Sequence, residues 1–412
     1  MSKKVIRNLV EFIGRQPKPF KINMIRAAAN SFLSNLTVQY RSIYILRLGA
    51  TAFQLGVVTS IAGTLGTAVA LPTGWLADKQ GIRKIFLIAI PITALSSLLF
   101  AVALDWITTI PALLLAMLGT QLLGVACPMV CGSYLRSEER ATGKQMCDTI
   151  SAIPTLIAPV MAAILITKFG GLNADGIRPL FLLQALGFML IFGFTYKLYF
   201  DTLKRKASSA FPGIAESIRQ VFETGFAVKP WALYIFLSST TFYTSTTYLS
   251  AFVTEVKFGD EFVVGSMTAA SMVLPLTISL LLGRAADRFG RKSVLGMTIP
   301  LYSASILLLI YAQDVMALLI SGVLQGFYLL SAVTQGAITA ELVPISLLGR
   351  WYGILNLLRG FASITAPIIG GFIWTAMGPN YVFFFMILVE MSKMIILWLA
   401  VPETLKNSQV VL

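Results

Sequence analysis

The chain contains twelve successive apolar runs, each about 20 residues or more in length. A run of this length matches an α-helix that crosses the hydrocarbon core of a bilayer. The predicted spans are 24–46, 53–77, 85–104, 108–135, 145–167, 179–200, 231–254, 262–282, 294–312, 315–340, 351–376 and 380–402. The sequence therefore predicts an all-α membrane protein with twelve transmembrane helices.

Composition agrees with this fold class, since 57% of the residues are hydrophobic, 12% are charged and the mean hydropathy is +0.80. The charged fraction is about half that of an ordinary soluble domain. A net charge of +14 would suit a nucleic-acid partner, but the basic residues lie in short clusters between apolar runs. Nucleic-acid binding needs a basic stripe or face, and we predict none.

Residues that carry enzyme chemistry are scarce. The chain has no histidine and three cysteines, Cys127, Cys131 and Cys147, which lie in or beside apolar runs and suit packing. No G-x-x-x-x-G-K-[ST] loop for nucleotide phosphates is present. We predict no enzyme activity, no cofactor and no metal.

Loop charges predict the orientation. Segment 1–23 is basic and amphipathic, as expected for a helix on the cytoplasmic membrane face. Most lysines and arginines lie on the same side as this segment, while the other side holds only Arg47, Lys168, Arg178 and Lys257. The positive-inside rule then predicts a multi-pass protein of the cell membrane with both termini in the cytoplasm.

A polar stretch, 201–230, divides the chain into helical regions 24–200 and 231–402, followed by a tail at 403–412. Short motifs recur in the two regions at nearly one spacing. The matched pairs are Asp78 with Asp287, Arg140 with Arg350 and Pro159 with Pro367, which are 209, 210 and 208 residues apart. Such a repeat predicts two related six-helix halves.

The loops after spans two and eight read GWLADKQGIRK at 74–84 and GRAADRFGRK at 283–292. Both resemble the signature G-x-x-x-D-R-x-G-R-[RK] of the major facilitator superfamily, and the resemblance extends over nearly the whole chain. It implies two pseudo-symmetric six-helix bundles around a midplane cavity that opens alternately to either side. It also implies a monomeric secondary transporter with a small-molecule substrate and protons as a candidate coupling ion.

The resemblance further implies that these loops latch the two bundles in one state. Glycines before the acid are expected to permit close helix approach, glycines after it a tight turn, and the acids to accept hydrogen bonds. The alternative is that the loops only anchor and orient the helices. The latch candidates are Gly74, Asp78, Lys79, Gly81, Arg83, Gly283, Asp287, Arg288, Gly290 and Arg291.

Charges inside spans are costly and mark candidate binding or coupling residues. Asp148 in span five and Arg359 in span eleven lie at nearly equivalent depths of the two halves. Arg359, with Asn356 on its helix face, can bind an anion, and Asp148 can exchange a proton. The alternative is a structural ion pair between the bundles. Glu390 and Lys393, three residues apart, are predicted to satisfy each other.

Uncharged polar residues in the spans suggest a polar cavity, although each alone suits an interhelical hydrogen bond. With Arg41, which lies near the outer side, they are Asn35, Gln39, Gln121, Tyr243, Thr247 and Gln325. The predicted substrate is a small organic solute, such as a metabolite, a sugar or an organic anion. The alternatives are a multidrug or metabolite efflux antiporter and, from another class, a membrane sensor or receptor.

Overall fold

Helices account for almost all of the described main chain. The computed structural model describes residues 13–136, 139–200, 219–344 and 347–404, without the side chains of 70–80, 125–127, 140–142, 145 and 280. The helices are α1 (Lys18–Thr37), α2 (Arg41–Arg47), α3 (Ala52–Gln80), α4 (Ile82–Val102), α5 (Thr109–Tyr134), α6 (Arg140–Lys168), α7 (Ala174–Leu198), α8 (Val228–Glu255), α9 (Glu261–Ser271), α10 (Val273–Phe289), α11 (Arg291–Tyr311), α12 (Val315–Glu341), α13 (Leu348–Ala376) and α14 (Pro379–Ala400).

Ten helical stretches among the described residues are long and apolar enough to cross a bilayer, with α9 and the start of α10 counted together. The predicted first and seventh spans coincide with α1–α2 and α8 but fall short of this measure. Lysine, arginine and asparagine side chains make α1 polar, and serines and threonines make α8 polar. Twelve crossings therefore stay a prediction at these two helices.

Two of the predicted spans are interrupted. A 3₁₀ turn at Val38–Tyr40 separates α1 from α2, and Met272 separates α9 from α10. The first break contains neither proline nor glycine, so the sequence carried no signal for it, whereas Pro275 follows the second break and cannot donate to the Ser271 carbonyl four residues before it. Interrupted helices are tolerated at membrane depth where the irregular backbone is buried in protein. Tyr40 in the first break is fully buried.

With α1–α2 and α9–α10 each counted as one interrupted span, short loops join the successive spans within each bundle, which therefore alternate in direction. We call the end that holds Lys18, Gln80, Phe289 and Ala400 the terminal end. The other end, which holds the loops 48–51, 103–108, 169–173, 256–260, 312–314 and 377–378, is the far end. The two signature loops lie at the terminal end.

Helix packing follows the sequence repeat. In the first bundle, α1 packs on α6 and α4 on α5; in the second, α8 packs on α13 and α11 on α12. Between the bundles, α3 packs on α13 and α6 on α9. Large apolar side chains such as Leu190, Leu388 and Leu399 are exposed on the outer surfaces, as expected for a protein whose surroundings are lipid tails.

Candidate functional site

Two tyrosines join the bundles at the far end. The hydroxyl of Tyr40 donates to the carbonyl oxygen of Glu261 at 2.9 Å and lies 3.4 Å from that of Pro159. The hydroxyl of Tyr248 donates to the carbonyl oxygen of Pro367 at 2.6 Å and lies 3.2 Å from that of Ala52. Each tyrosine thus contacts a proline on a neighbouring helix of its own bundle and the first turn of a helix in the other.

We call each tyrosine, with the two carbonyl oxygens that its hydroxyl contacts, a clamp. The two clamps occupy equivalent positions in the internal repeat. Tyr248 follows Tyr40 by 208 residues, Pro367 follows Pro159 by 208, and Glu261 follows Ala52 by 209. The repeat detected in the sequence at the two prolines therefore includes a hydrogen-bonded contact. Sequence reasoning missed both tyrosines, although the same offset was available to find them.

Glycines let the helix backbones meet beside each clamp. A Cβ on Gly265 would lie 2.7 Å from the carbonyl oxygen of Pro159, and a Cβ on Gly56 would overlap the carbonyl oxygen of Pro367. Gly63 and Gly360 are equally crowded, by Ser363 and Thr67 of the facing helix. Only residues without a side chain permit this approach.

Charged and polar side chains reinforce the closure. Arg47 of α2 forms an ion pair with Glu255 of α8 at 3.1 Å. The hydroxyl of Thr167 donates to the Glu261 carboxylate at 2.6 Å. Within the described residues, the polar contacts that we find between the bundles all lie at the far end. The far end of the molecule is closed.

Lys257 connects two far-end loops of the second bundle, 256–260 and 312–314. Its amine donates to the carbonyl oxygens of Ile310 and Ala312 at 2.6 and 3.0 Å, at the carboxyl end of α11. Partial burial lowers the pKa of Lys257 below its ordinary value because desolvation disfavours the ammonium form. Lys257 therefore stabilises these loops within the second bundle, and among the described residues it makes no contact with the first bundle.

The terminal end is packed less tightly. A Cβ on Gly283 or Gly353 would meet no described atom within 4 Å. The expected close approach of a helix at Gly283 is therefore not seen among the described atoms, and it stays a prediction for another conformation. Asp148 pairs with Lys144 on its own helix at 2.5 Å, and its side chain is 53% exposed. No ion pair joins Asp148 to Arg359 in the described structure.

The two signature loops share a backbone feature at the glycine that follows the acid. The side chains of Gly74, Asp78 and Lys79 lie outside the described residues. Gly81 and Gly290 both have positive φ, 84° and 101°, a conformation that glycine adopts without strain. Arg83 donates to the carbonyl oxygen of Tyr196 and lies over the ring of Phe200 in its own bundle.

The second signature loop is tied to its own bundle. Arg291 forms an ion pair with Glu341 and lies 3.7 Å from Asp287, whose side chain is 71% exposed. The carboxylate of Glu403 accepts hydrogen bonds from the main-chain amides of Arg291 and Lys292, at 2.9 and 3.1 Å. An anion there satisfies the open amides at the start of α11. Arg288 lies over the ring of Phe289.

Arg359 lines a cavity of about 200 Å³ beside the interface between the bundles. The other lining residues come from α8 and α12: Ile235, Ser238, Ser239, Phe242, Tyr243, Tyr328 and Gln335. Arg359 donates to the amide oxygen of Asn356 at 2.9 Å, so the two predicted residues do share a helix face. Gly360, the next residue, packs on Thr67 of the first bundle.

The polar candidates of the first helix lie apart from this cavity. The amide of Asn35 donates to the carbonyl oxygen of Ser31 and to the hydroxyl of Thr155, on the neighbouring helix. Gln39 is buried, and neither of its amide atoms has a hydrogen-bond partner among the described residues. The 3₁₀ turn begins at Val38, between Asn35 and Gln39, so the two residues do not lie on one continuous α-helix. Arg41 lies over the ring of Phe100.

The remaining candidates make local or interhelical contacts. Gln121 donates to the carbonyl oxygen of Gly66 on α3 at 3.3 Å, which matches the structural alternative. Gln325 donates to the hydroxyl of Ser321 on its own helix. Thr247 donates to the carbonyl oxygen of Tyr243, and only Tyr243 of this pair lines the cavity. Phe242 and Tyr328, which sequence reasoning missed, carry no charge or motif that distinguishes them from other aromatic residues.

The pair Glu390 and Lys393 is buried inside the second bundle. The Lys393 amine lies 2.7 and 2.8 Å from the two carboxylate oxygens of Glu390. The predicted mutual satisfaction of these residues is confirmed.

Comparison with known proteins settles the family. The sequence profile of the Major Facilitator Superfamily matches residues 22–262 and 255–410. The chain belongs to this superfamily. The members of this superfamily are membrane transporters and are not enzymes, and the ten apolar helical stretches of the described residues agree with a multi-pass membrane protein.

The aligned relatives match only part of this chain. The class B tetracycline resistance protein of Escherichia coli is 26% identical over 163 residues, 40% of each chain. A multidrug resistance protein B homolog of Mycobacterium tuberculosis is 27% identical over 141 residues, 34% of this chain and 25% of that one. The aligned regions thus span less than half of these relatives' length.

Solved structures share the fold over nearly the whole chain. The nucleoside transporter NupG superposes with a TM-score of 0.75 at 14% identity, covering 92% of this chain and 98% of that one. A D-xylose–proton symporter superposes with a TM-score of 0.67 at 15% identity, covering 94% and 98%. The resemblance to the major facilitator fold that the sequence predicted is confirmed.

Proposed function

We propose that this transporter moves a small organic anion across the cell membrane by alternating access. The observation that carries the proposal is the state of Arg359. Its hydrogen-bond partner is the neutral Asn356, and no carboxylate lies within ion-pair distance among the described residues. A guanidinium at membrane depth without a counter-charge attracts a carboxylate or phosphate, for which its planar fork provides two parallel donors.

The other walls of the cavity favour an anion with a planar apolar body. Phe242, Tyr243 and Tyr328 present aromatic rings, and Ser238 and Ser239 present hydroxyls. About 200 Å³ corresponds to roughly seven water volumes, enough for a small solute. We therefore favour an aromatic monocarboxylate among the organic anions.

Loop charges support an orientation with the terminal end in the cytoplasm. With the far end closed by the Tyr40 and Tyr248 clamps, this conformation is then the inward-facing one. Arg359 lies beyond the last crowded contacts between α3 and α13, on the cytoplasmic side of Gly63 and Ser363. A solute bound at Arg359 would leave toward the cytoplasm in this state and reach the outside after the clamps open.

Binding to purified protein in detergent tests the anion proposal. The probes are benzoate, salicylate and nicotinate, and the controls are benzamide, salicylamide and nicotinamide, which keep the ring and lose the charge. We expect the acids alone to raise the melting temperature, and Arg359→Gln to abolish this rise. Equal stabilisation by acids and amides, or equal stabilisation of the wild type and Arg359→Gln, would refute the proposal.

A second candidate function is drug efflux, which the two resistance-named relatives favour. The aromatic lining of the Arg359 cavity also suits a planar drug. Tetracycline resistance of cells that express the chain tests this candidate directly. Resistance that survives Arg359→Gln would favour efflux through another site over anion transport.

A sensor built on the transporter fold would bind a solute without moving it. Uptake of labelled benzoate into liposomes that contain the purified chain separates the two functions. Transport predicts accumulation over empty liposomes, whereas binding without accumulation would favour a sensor.

A further inference from the structure

A groove of about 630 Å³ runs along the outer surface of the second bundle, between α8 and α13. Leu233 and Phe236 of α8 line one wall, and Leu358 and Phe361 of α13 line the other. Leu233 and Phe361 are 48% and 56% exposed, whereas the small side chain of Ala232 between the walls is buried. This depression, which we call the α8–α13 groove, is therefore open to the lipid around the bundle.

The linker before α8 closes the terminal end of the groove. Val221 is fully buried in the core of the second bundle, and the next residue, Phe222, lines the groove. Arg350, near the start of α13, donates to the amide oxygen of Gln220. These contacts fix the linker segment to the second bundle. The groove thus has a wall at its terminal end in addition to the two helices.

Among the described residues that line the groove, Lys229 alone carries a charge. Its side chain is exposed. The acid in the adjoining linker, Glu223, pairs with Arg219 at 2.9 Å, and no carboxylate of the described residues lies within ion-pair distance of Lys229. One end of an apolar groove therefore presents an ammonium group without a counter-charge.

The lining residues extend from the membrane surface into the bilayer. Lys229 lies in the first turn of α8, at the terminal end. Phe361 lies 13 residues (361 minus 348) after Leu348, where α13 begins at the same end. At about 1.5 Å per residue this is about 20 Å along α13, in a bilayer whose hydrocarbon core is about 30 Å thick. The cation therefore lies at headgroup level and the apolar walls lie beside the lipid tails.

We propose that the α8–α13 groove binds one phospholipid with a net negative headgroup. The lipid phosphate contacts the Lys229 amine, and one acyl chain lies between Leu233 and Phe361. A chain fills such a groove because side chains around a void lose their dispersion contacts.

The charge of Lys229 selects the headgroup. A zwitterionic headgroup carries its own cation, so it offers Lys229 no net charge, whereas an anionic headgroup supplies the missing counter-charge. Loop charges predict that the terminal end lies in the cytoplasm. The cytoplasmic leaflet carries anionic lipids that attract basic residues next to the membrane.

The bound lipid is distinct from the transported solute. The α8–α13 groove and the Arg359 cavity are built from the same two helices but share none of the described lining residues. Leu358 of the groove directly precedes Arg359, and Phe236 directly follows Ile235 of the cavity. The inference goes beyond anion transport and stands if another solute is moved.

Native mass spectrometry of the full chain in detergent tests the headgroup contact. The probes are phosphatidylglycerol and phosphatidylcholine with identical acyl chains, added in equal amounts. We expect the wild type to retain more phosphatidylglycerol, and Lys229→Gln to lower the ratio of the two lipids about fivefold. Lys197→Gln is the matched control, because Lys197 is also exposed at the terminal end, in the last turn of α7 and outside the groove. An unchanged ratio in Lys229→Gln, or an equal fall in Lys197→Gln, would overturn the proposal.

A variant that fills the groove tests the acyl-chain contact without changing any charge. Thr365 is exposed and lines the groove, so Thr365→Trp is expected to lower the retention of both lipids several-fold. Ile368→Trp is the control at an exposed position of the same helix outside the groove. Glycerol 3-phosphate, which carries the charge without a chain, should not displace phosphatidylglycerol. Full retention in Thr365→Trp, or displacement by glycerol 3-phosphate, would contradict binding of a lipid.

Photo-crosslinking identifies the occupant in a membrane. The full chain with p-benzoylphenylalanine in place of Leu233 is placed in vesicles of phosphatidylcholine that contain phosphatidylglycerol. We expect an adduct with the mass of phosphatidylglycerol, and its loss when Lys229→Gln is added. Adducts only with a second copy of the chain, or with its segments 1–12 or 201–218, would show that protein covers the groove and the lipid proposal is wrong.

Discussion

The hydroxyls of Tyr40 and Tyr248 make equivalent contacts 208 residues apart, each between a proline carbonyl of its own bundle and a helix start of the other bundle. Because the contacts across the bundles exist only while the far end is closed, the two tyrosines act on the equilibrium between conformations. Their energetic effect is a hydrogen bond each, which contributes about 1 kcal/mol net in proteins.

Tyr40→Phe and Tyr248→Phe are each expected to shift the population toward the form open at the far end by about fivefold, the equivalent of about 1 kcal/mol. Pulsed electron resonance between spin labels at Leu104 and Gln313, in exposed far-end loops of the two bundles, measures this population. Tyr44→Phe is the matched control, since the Tyr44 hydroxyl donates to the Phe100 carbonyl inside the first bundle. It should lower the melting temperature and leave the distance distribution unchanged.

Gly56→Ala and Gly265→Ala are expected to prevent full closure of the far end. The added Cβ of either variant collides with a main-chain carbonyl, of Pro367 or Pro159, which cannot rotate away as a side chain can. A cysteine at Ser363, now buried against Gly63, should react with maleimide faster in these variants. Gly193→Ala, whose Cβ meets no described atom within 4 Å, is the control, and equal reactivity in all three would contradict the prediction.

Asp287→Asn is expected to raise the population of the conformation described here. Asp287 is 71% exposed and makes no contact with the first bundle among the described residues, so we predict that it acts as a latch in the opposite state. Removing its charge then costs little in this state, where it loses only an exposed 3.7 Å contact with Arg291, and is expected to weaken the other state. The Leu104 to Gln313 distance should shorten on average, and Asp175→Asn, an exposed acid at the far end, should not change it. Longer distances in Asp287→Asn would refute the latch.

Glu403→Gln is expected to loosen the start of α11. The carboxylate accepts from two main-chain amides at a helix N-terminus, an arrangement comparable to a helix cap that contributes roughly 1 kcal/mol. Hydrogen exchange at Arg291, Lys292 and Ser293 should quicken several-fold, with no change at the equivalent start of α4. Unchanged exchange at these amides would show that the loop is held by the Arg291–Glu341 ion pair alone.

Spans, family and repeat were accessible from sequence because each depends on a local pattern. Apolar length predicted the helices, and two loops at one offset predicted the fold. Depth along a span also brought Arg359 and Asn356 together correctly, since both lie on one helix face. These properties need no knowledge of how the helices pack.

Contacts between distant segments were not accessible in the same way. The Tyr40 hydroxyl contacts a carbonyl oxygen 221 residues away. The 208-residue offset relates Tyr40 to Tyr248, but it does not show which carbonyl oxygens the two hydroxyls contact. Depth along the span also did not show that Asp148 pairs with Lys144, four positions away, and is 53% exposed. Gly283 was expected at a close approach of two helices, and no described atom lies within 4 Å of a Cβ placed there.

The two clamps lie at separate seams: Tyr40 where α1 and α6 meet α9, and Tyr248 where α8 and α13 meet α3. Thermal rupture of a single clamp parts one seam and leaves the other shut, so it opens no passage for a solute. A passage at the far end opens only when both clamps are broken at once. If the two break independently, the probability of a leak is the product of the two small probabilities of breaking. The internal repeat places one such tyrosine in each half, 208 residues apart.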